Sequence, residues 1–356
     1  MRDRQDLRFC SGYDGTRLAY ATVGTGPPLV KTANWLSHLE YDWSSPIWRH
    51  WIEGLSRHHT LYRHDQRGCG LSDRDPGEMS FESWVRDLEA VVDTAKLERF
   101  PLLGISQGGA IAVEYAARHP ERVSHLVLYG AFARGRLKRS GGQAAIDEVM
   151  TMYKLFELGW GTNIRAFRQV FATQFLPGAS AELIDAFDDL MRQSATAAQA
   201  VRLMKVSVQI DVVRLCERVQ CPTLVLHASD DGRIAFEEGR LLASLIPGAR
   251  FVPLASRNHI LLADEPAWPA FLREVDAFLG GGSARGRIAD LTPRENELLE
   301  YLARGLDNHQ IAAHLGLSEK TVRNMLSSVL DKMGVESRAQ AIVRAREAGY
   351  GVGSHA

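Results

Sequence analysis

The sequence predicts an α/β protein with a helical insertion, followed by a separate, small all-α domain. Three observations carry this. Apolar runs at 28–32, 60–64, 100–105, 124–129, 222–227 and 250–254 alternate with helical stretches, the rhythm of βα units in a mostly parallel, covered sheet. Between residues 130 and 215 that rhythm stops, and helical segments carry Met150, Phe156, Trp160, Phe171, Phe175 and Phe187. Beyond a glycine-rich run at 280–286 the pattern becomes helix, tight turn, helix. A length of 356 residues is more than one core usually occupies, so two domains are expected.

Composition sets the outer limits. Hydrophobic residues make up 45% of the chain, enough for a sizeable core, and the net charge is −1. That total gives no whole-chain case for nucleic acid or membrane binding, although opposite local charges cancel in it. With no secretory leader and no long apolar run, a soluble cytoplasmic protein without membrane partners is expected. Cys10, Cys69, Cys216 and Cys221 are scattered and read as reduced structural thiols, so neither a metal nor another cofactor is expected.

Taken in order, residues 5–25 alternate around the Asp14-Gly15 turn signal and predict an antiparallel hairpin at the sheet edge. Strand 60–64 runs into Asp65-Gln66-Arg67-Gly68-Cys69-Gly70-Leu71-Ser72, a glycine-rich corner that Asp65 and Arg67 are expected to pin as a charged pair. Strand 100–105 breaks at Gly104-Ile105-Ser106-Gln107-Gly108, where small neighbours let the backbone lift a serine onto a strand-to-helix corner. The Ala-rich stretch 109–118 supplies the helix. Ser106 is thus the candidate nucleophile. A serine hydroxyl needs a histidine to take its proton and a carboxylate to hold that histidine. Asp230 and Asp231 follow strand 222–227, and His259 follows strand 250–254. His64 and His227 sit at strand ends and read as packed structural histidines.

The elbow and the D-x-R-G-x-G-x-S stretch together resemble the α/β-hydrolase superfamily. The resemblance implies an α/β-hydrolase fold over 1–279, with a helical cap at about 133–215 lining a pocket for a small, apolar ligand. It implies a catalytic set of Ser106, Asp231 and His259, with Asp230 as runner-up acid, and a serine hydrolase of esterase or thioesterase type. The oxyanion hole it implies comes from the N–H groups of Gln107 and Trp35. The family usually has His-Gly just before that second donor; here Ala33-Asn34 stand there, and Asn34 is expected to take the left-handed backbone. Ala235 replaces a proline common after the acid loop, and a serine at the elbow separates the chain from dehalogenases, which carry aspartate there.

After a linker at 280–290, the segment 291–356 opens with a capping box, Thr292 to Glu295, and proline at the first helical position. Gly305 ends that helix, 308–315 forms a second stopped by Gly316, and Ser318 caps a third that stops at Gly334. Val322, Met325, Leu326, Val329, Leu330 and Met333 recur at helical spacing and predict its buried face. This segment is similar to LuxR-type helix-turn-helix DNA-binding domains. The similarity implies binding of double-stranded DNA: Arg323 and Asn324 reading bases, Lys320, Thr321, Ser327 and Lys332 nearer phosphate. From Lys320 to Arg346 six basic residues face two acids, Asp331 and Glu336. Met325 stands where that family commonly has histidine, and a helix at 339–348 resembles the one through which such domains form homodimers. The expected protein is a transcriptional regulator whose hydrolase-type domain binds, and slowly hydrolyses, a small molecule; the alternative is a working esterase or thioesterase whose C-terminal domain tethers or dimerises it.

Overall fold

The computed structural model describes residues 4–160, 165–279, 291–335, 337–347 and 350–351. The chain divides into two compact units, Met1–Arg273 and Glu274–Ala356; the linker expected at 280–290 lies outside the described residues.

The first unit is built on one sheet of eight strands: β1 Asp6–Ser11, β2 Arg17–Val23, β3 Pro28–Lys31, β4 Thr60–His64, β5 Phe100–Ile105, β6 Val123–Tyr129, β7 Thr223–Ala228 and β8 Arg250–Leu254. Their order is β1-β2-β4-β3-β5-β6-β7-β8. The hairpin of β1 and β2 joins antiparallel to β4, and every other pairing is parallel. Helices α1 Leu39–Ser44, α2 Arg49–Leu55, α3 Phe81–Thr94 and α4 Gln107–Arg118 connect the first strands. Leu102, Leu103, Leu126, Leu128, Leu224 and Leu226 are wholly buried, as expected of strands covered on both faces.

Between β6 and β7 come the helices of the insertion, α5 Gly142–Gly159, α6 Arg165–Phe175, α7 Ala181–Ser194, α8 Ala197–Ser207 and α9 Val213–Cys216. Helix α7 shows why they form: Ser180 caps it, and Ile184, Phe187, Leu190 and Met191 lie on one buried stripe. Helices α10 Phe236–Leu245 and α11 Ala267–Phe278 follow the last two strands. No helix among the described residues is long and apolar enough to cross a membrane.

The loop after β4 departs from the expected charged pair. Arg67 is fully buried and forks onto Asp87 at 2.8 and 2.6 Å and onto Asp14 at 2.8 and 3.3 Å. Asp65 instead accepts from the backbone N–H groups of Leu39 and Leu71. Gly70, with φ 54, leaves room for that carboxylate, since a Cβ there would stand 2.1 Å from Asp65 Oδ2. Each group satisfies a different neighbour.

The second unit holds α12 Pro293–Ala303, α13 Asn308–Leu315, α14 Glu319–Met333 and α15 Arg338–Glu347. Capping boxes at Thr292/Glu295 and Asp307/Gln310 start α12 and α13, and left-handed Gly316 and Gly334 end α13 and α14. Leu298, Leu302, Ile311, Val322, Val329 and Ala345 meet in its core, with Met325 packed at the edge.

Candidate functional site

Parallel register brings the carboxyl ends of β5, β6, β7 and β8 to one edge, with Ile105 opposite Tyr129, Tyr129 opposite Leu226 and Ala228 opposite Leu254. Loops leaving that edge carry Ser106, Asp231 and His259. Ser106 has φ 55 and ψ −125, a conformation costly for a residue with a Cβ. It is held there by its N–H, which donates to the Tyr129 carbonyl at 3.0 Å. The helix that follows fits only because its neighbours are small: a Cβ on Gly109 would lie 2.3 Å from that of Ala131.

Asp231 is fixed from two sides. Its Oδ1 accepts from the N–H groups of Arg233 and Ile234 at 2.8 and 2.9 Å, and its Oδ2 lies 2.7 Å from His259 Nδ1. Burial pushes this carboxyl up, but the His259 ring and the backbone donors outweigh it and hold Asp231 below its ordinary range. Asp230, the runner-up, is exposed. His259 donates its backbone N–H to the Phe175 carbonyl at 2.8 Å. Its ring lies against Gly130, where a Cβ would be 3.0 Å from His259 Cε1. Ser106 and His259 therefore both abut the end of β6, and His259 Nε2 is buried with no hydrogen-bond partner among the described residues.

His227 does more than pack. Its Nε2 lies 3.0 Å from the Ile234 carbonyl and 3.5 Å from Asp231 Oδ2, and burial lowers its pKa, favouring the neutral ring. The clue in sequence is its position four residues before Asp231.

The loop after β3 approaches the elbow closely. Thr32 Oγ1 donates to the Gly108 carbonyl at 3.0 Å. Neither the Trp35 nor the Gln107 backbone N–H meets an acceptor among the described residues. The left-handed residue here is Leu36, with φ 50, and not Asn34. The Asn34 side chain accepts from the Lys31 ammonium and donates to the Trp35 carbonyl. A continuous chain of rings runs from this loop to the histidine: Trp35 to Phe171 at 5.6 Å, Phe171 to Phe175 at 4.9 Å and Phe175 to His259 at 5.3 Å. Among the described residues no group of three His, Cys, Asp or Glu side chains could hold a metal.

In the second unit Lys320, Thr321, Arg323, Asn324 and Ser327 lie exposed along α14. Thr321 shares its hydroxyl with Ser318, and Ser327 donates back to the Arg323 carbonyl. Lys332 is different: its ammonium lies 2.8 and 3.0 Å from the Glu295 carboxylate, an ion pair within its own domain. Arg338, Arg344 and Arg346 donate instead to the carbonyls of Leu306, Met333 and Ala303, Arg344 and Arg346 while still exposed. Among the described residues only Lys332 of these cations is paired with a carboxylate; the three arginines keep their charge but have their guanidinium groups engaged, whereas the charged ends of Lys320 and Arg323 point to no acceptor among those residues.

Family models match this chain twice: alpha/beta hydrolase fold over residues 38–266, and bacterial regulatory proteins, luxR family, over 289–345. Similar relatives include a pyrrolizixenacetamide deacetylase from Xenorhabdus hominickii, 26% identical over 250 residues, covering 70% of this chain and 90% of that one. A probable HTH-type transcriptional regulator, GfsR, from Streptomyces halstedii is 48% identical over 141 residues, covering 34% of this chain and 56% of the relative. Among solved structures, a hydrolase from Pseudomonas aeruginosa PA01 superposes with a TM-score of 0.64 at 24% identity, over 77% of this chain and 98% of that one.

Proposed function

Since the chain belongs to the α/β-hydrolase fold family and also carries a LuxR-family DNA-binding domain, we propose that it is a transcriptional regulator whose hydrolase domain senses a small molecule. The observation that carries this reading is the exposed start of α14. Lys320, Arg323 and Asn324 stand free there, while the same chain encloses Ser106 and His259 beneath aromatic helices. Arginine suits guanine edges, asparagine suits adenine, and lysine suits phosphate.

In this reading the ligand occupies the space between Ser106 and the insertion helices, which act as a cap. Slow turnover would follow the usual course of a serine hydrolase. His259 takes the Ser106 proton as Oγ attacks an acyl carbon, and Asp231 stabilises the resulting imidazolium. The N–H groups of Gln107 and Trp35 receive the oxyanion. The leaving group departs with the proton from His259, and water, activated by the same ring, releases the acid. The exposed Val343 on α15 suits a dimer contact, through which occupancy of the pocket would change DNA affinity.

The test is to identify small molecules that co-purify with the full chain by mass spectrometry, then to titrate a DNA duplex selected by the protein, with and without the molecule recovered. Ser106→Ala prevents turnover during the titration. Typical couplings of about 1–3 kcal/mol shift affinity roughly 5- to 150-fold, and reciprocally. A curve that saturating ligand leaves unmoved refutes the sensor and leaves a tethered hydrolase.

A further inference from the structure

Beneath the loop that follows β3 lies a charged cluster that the triad does not use. Lys31, the last residue of β3, is buried. Its ammonium donates to Asn34 Oδ1 and, at 3.2 Å, to the Thr32 carbonyl. The Asn34 amide in turn donates to the Trp35 carbonyl at 3.2 Å. One lysine thus grips both ends of the segment that presents the Trp35 N–H. The near end is anchored again by Thr32, whose N–H donates to the Leu103 carbonyl at 2.9 Å.

We propose that Lys31 is the positioning residue of the oxyanion loop, replacing through Asn34 the geometry that a His-Gly pair would otherwise supply. The proposal rests on the reading of Ser106 as nucleophile. An ammonium offers three donors and no acceptor, so it can hold Thr32 and Asn34 together and still face an acid. The groups around it are Asp42 from α1, Arg63 and His64 from β4, Asp65 just beyond, and the Trp48 ring 5.4 Å away. Arg63 lies 3.7 Å from Asp42, and Asp42 Oδ1 and Arg63 Nε are buried without partners among the described residues. Burial, reinforced by Arg63 and opposed by Asp42 and Asp65, draws the Lys31 pKa down. A charged donor bonds roughly twice as strongly as a neutral one. Burial likewise pushes the neighbouring Asp42 carboxyl up, so the two groups titrate together, and losing the ammonium as pH rises weakens its hold on Asn34.

The experiment uses the full chain, p-nitrophenyl acetate as probe substrate, and the backbone amide resonance of Trp35 in tryptophan-labelled protein. Lys31→Met removes the donor, Asn34→Leu removes the acceptor, and Asn34→Asp keeps an acceptor. A misplacement of about 1 Å costs roughly 100-fold, so Lys31→Met and Asn34→Leu are expected to lower kcat about 10- to 100-fold with KM unchanged. Asn34→Asp is expected to retain most of kcat. The part of any alkaline loss of activity that depends on this ammonium should vanish in Lys31→Met, and the Trp35 resonance should move in both disruptive variants. If Lys31→Met does not fold, Asn34→Leu against Asn34→Asp decides alone. A Trp35 resonance unmoved in the folded disruptive variant, or an unchanged kcat, overturns the proposal. If the wild type shows no hydrolysis dependent on Ser106, the nucleophile reading fails, and the Trp35 resonance still decides what Lys31 does.

Discussion

Truncating Lys332 tests whether a cation held by a carboxylate of its own domain contributes to DNA binding. Its ammonium is 2.8 and 3.0 Å from Glu295, which also accepts from Ser328 at 2.8 Å. A cation already neutralised this way releases no counterion from DNA, so Lys332→Ala should leave the salt dependence of binding unchanged. Its cost falls on stability. A hydrogen bond to a charged group is worth about 1.5–3 kcal/mol, and because 32% of the Lys332 side chain is exposed, screening reduces this to about 1 kcal/mol. Lys320→Ala should behave in the opposite way. Removing one phosphate-bound cation lowers the slope of log K against log salt by about 0.9, which between 50 and 200 mM amounts to roughly a 3.5-fold change. Arg323→Ala should cost about 1–3 kcal/mol and relax preference at one base position. Fluorescence anisotropy with selected and random duplexes across a salt series measures all three. If Lys332→Ala flattens the salt slope as much as Lys320→Ala, the intramolecular pair does not govern this cation and Lys332 is a phosphate ligand after all.

Three further outcomes are expected. A fluorophosphonate probe should label Ser106, and His259→Ala or Asp231→Asn should slow labelling by about 10³-fold or more; labelling that survives in Ser106→Ala would falsify the nucleophile. Arg67→Met leaves Asp87 buried without its partner and should cost about 3–5 kcal/mol, part of which Asp87→Leu restores in the same chain. All seven tryptophans lie in the first unit, so their fluorescence in urea follows that unit alone, and strictly additive losses would refute the pairing. Lys332, with Ser328 and Thr292, holds the Glu295 carboxyl at about 2 against an ordinary 4.5. A depressed carboxyl stabilises fully above the unfolded value, so this contribution should disappear as pH falls from about 4.5 toward 2. The Met333 methyl resonance should report that loss in the wild type and not in Glu295→Gln.

What the sequence made legible follows from local physics. Runs such as Leu102-Leu103 and Leu224-Val225-Leu226 are apolar on both faces, and Thr292, Ser318, Gly316 and Gly334 mark helix ends by their own backbone and side-chain preferences. The strand ends bearing Ser106, Asp231 and His259 were legible for the same reason, and parallel pairing then brings those ends together. Partnerships across the fold were not. Glu295 meets Lys332 across 37 residues, and Arg67 turns to Asp87 and Asp14 instead of Asp65 because packing places those carboxylates along its fork. The left-handed turn falls on Leu36, a residue whose type carries no preference for that backbone.

The rings over the site would also set a clock for any ligand that passes between them. Three contacts, Trp35 with Phe156 and Phe171 and His259 with Phe175, tie α5 and α6 to the sheet edge. At about 0.5–1.5 kcal/mol each beyond their buried area, the three contacts would add roughly 1.5–4.5 kcal/mol to any parting of these helices from the sheet edge, enough by themselves to make an open form about 10- to 2000-fold rarer. If ligands pass between these rings, arrival is slowed by that factor and departure waits on the same rare event. Under the sensor reading, occupancy would then follow a time-averaged supply of the molecule, smoothing brief pulses that a permanently open pocket would track.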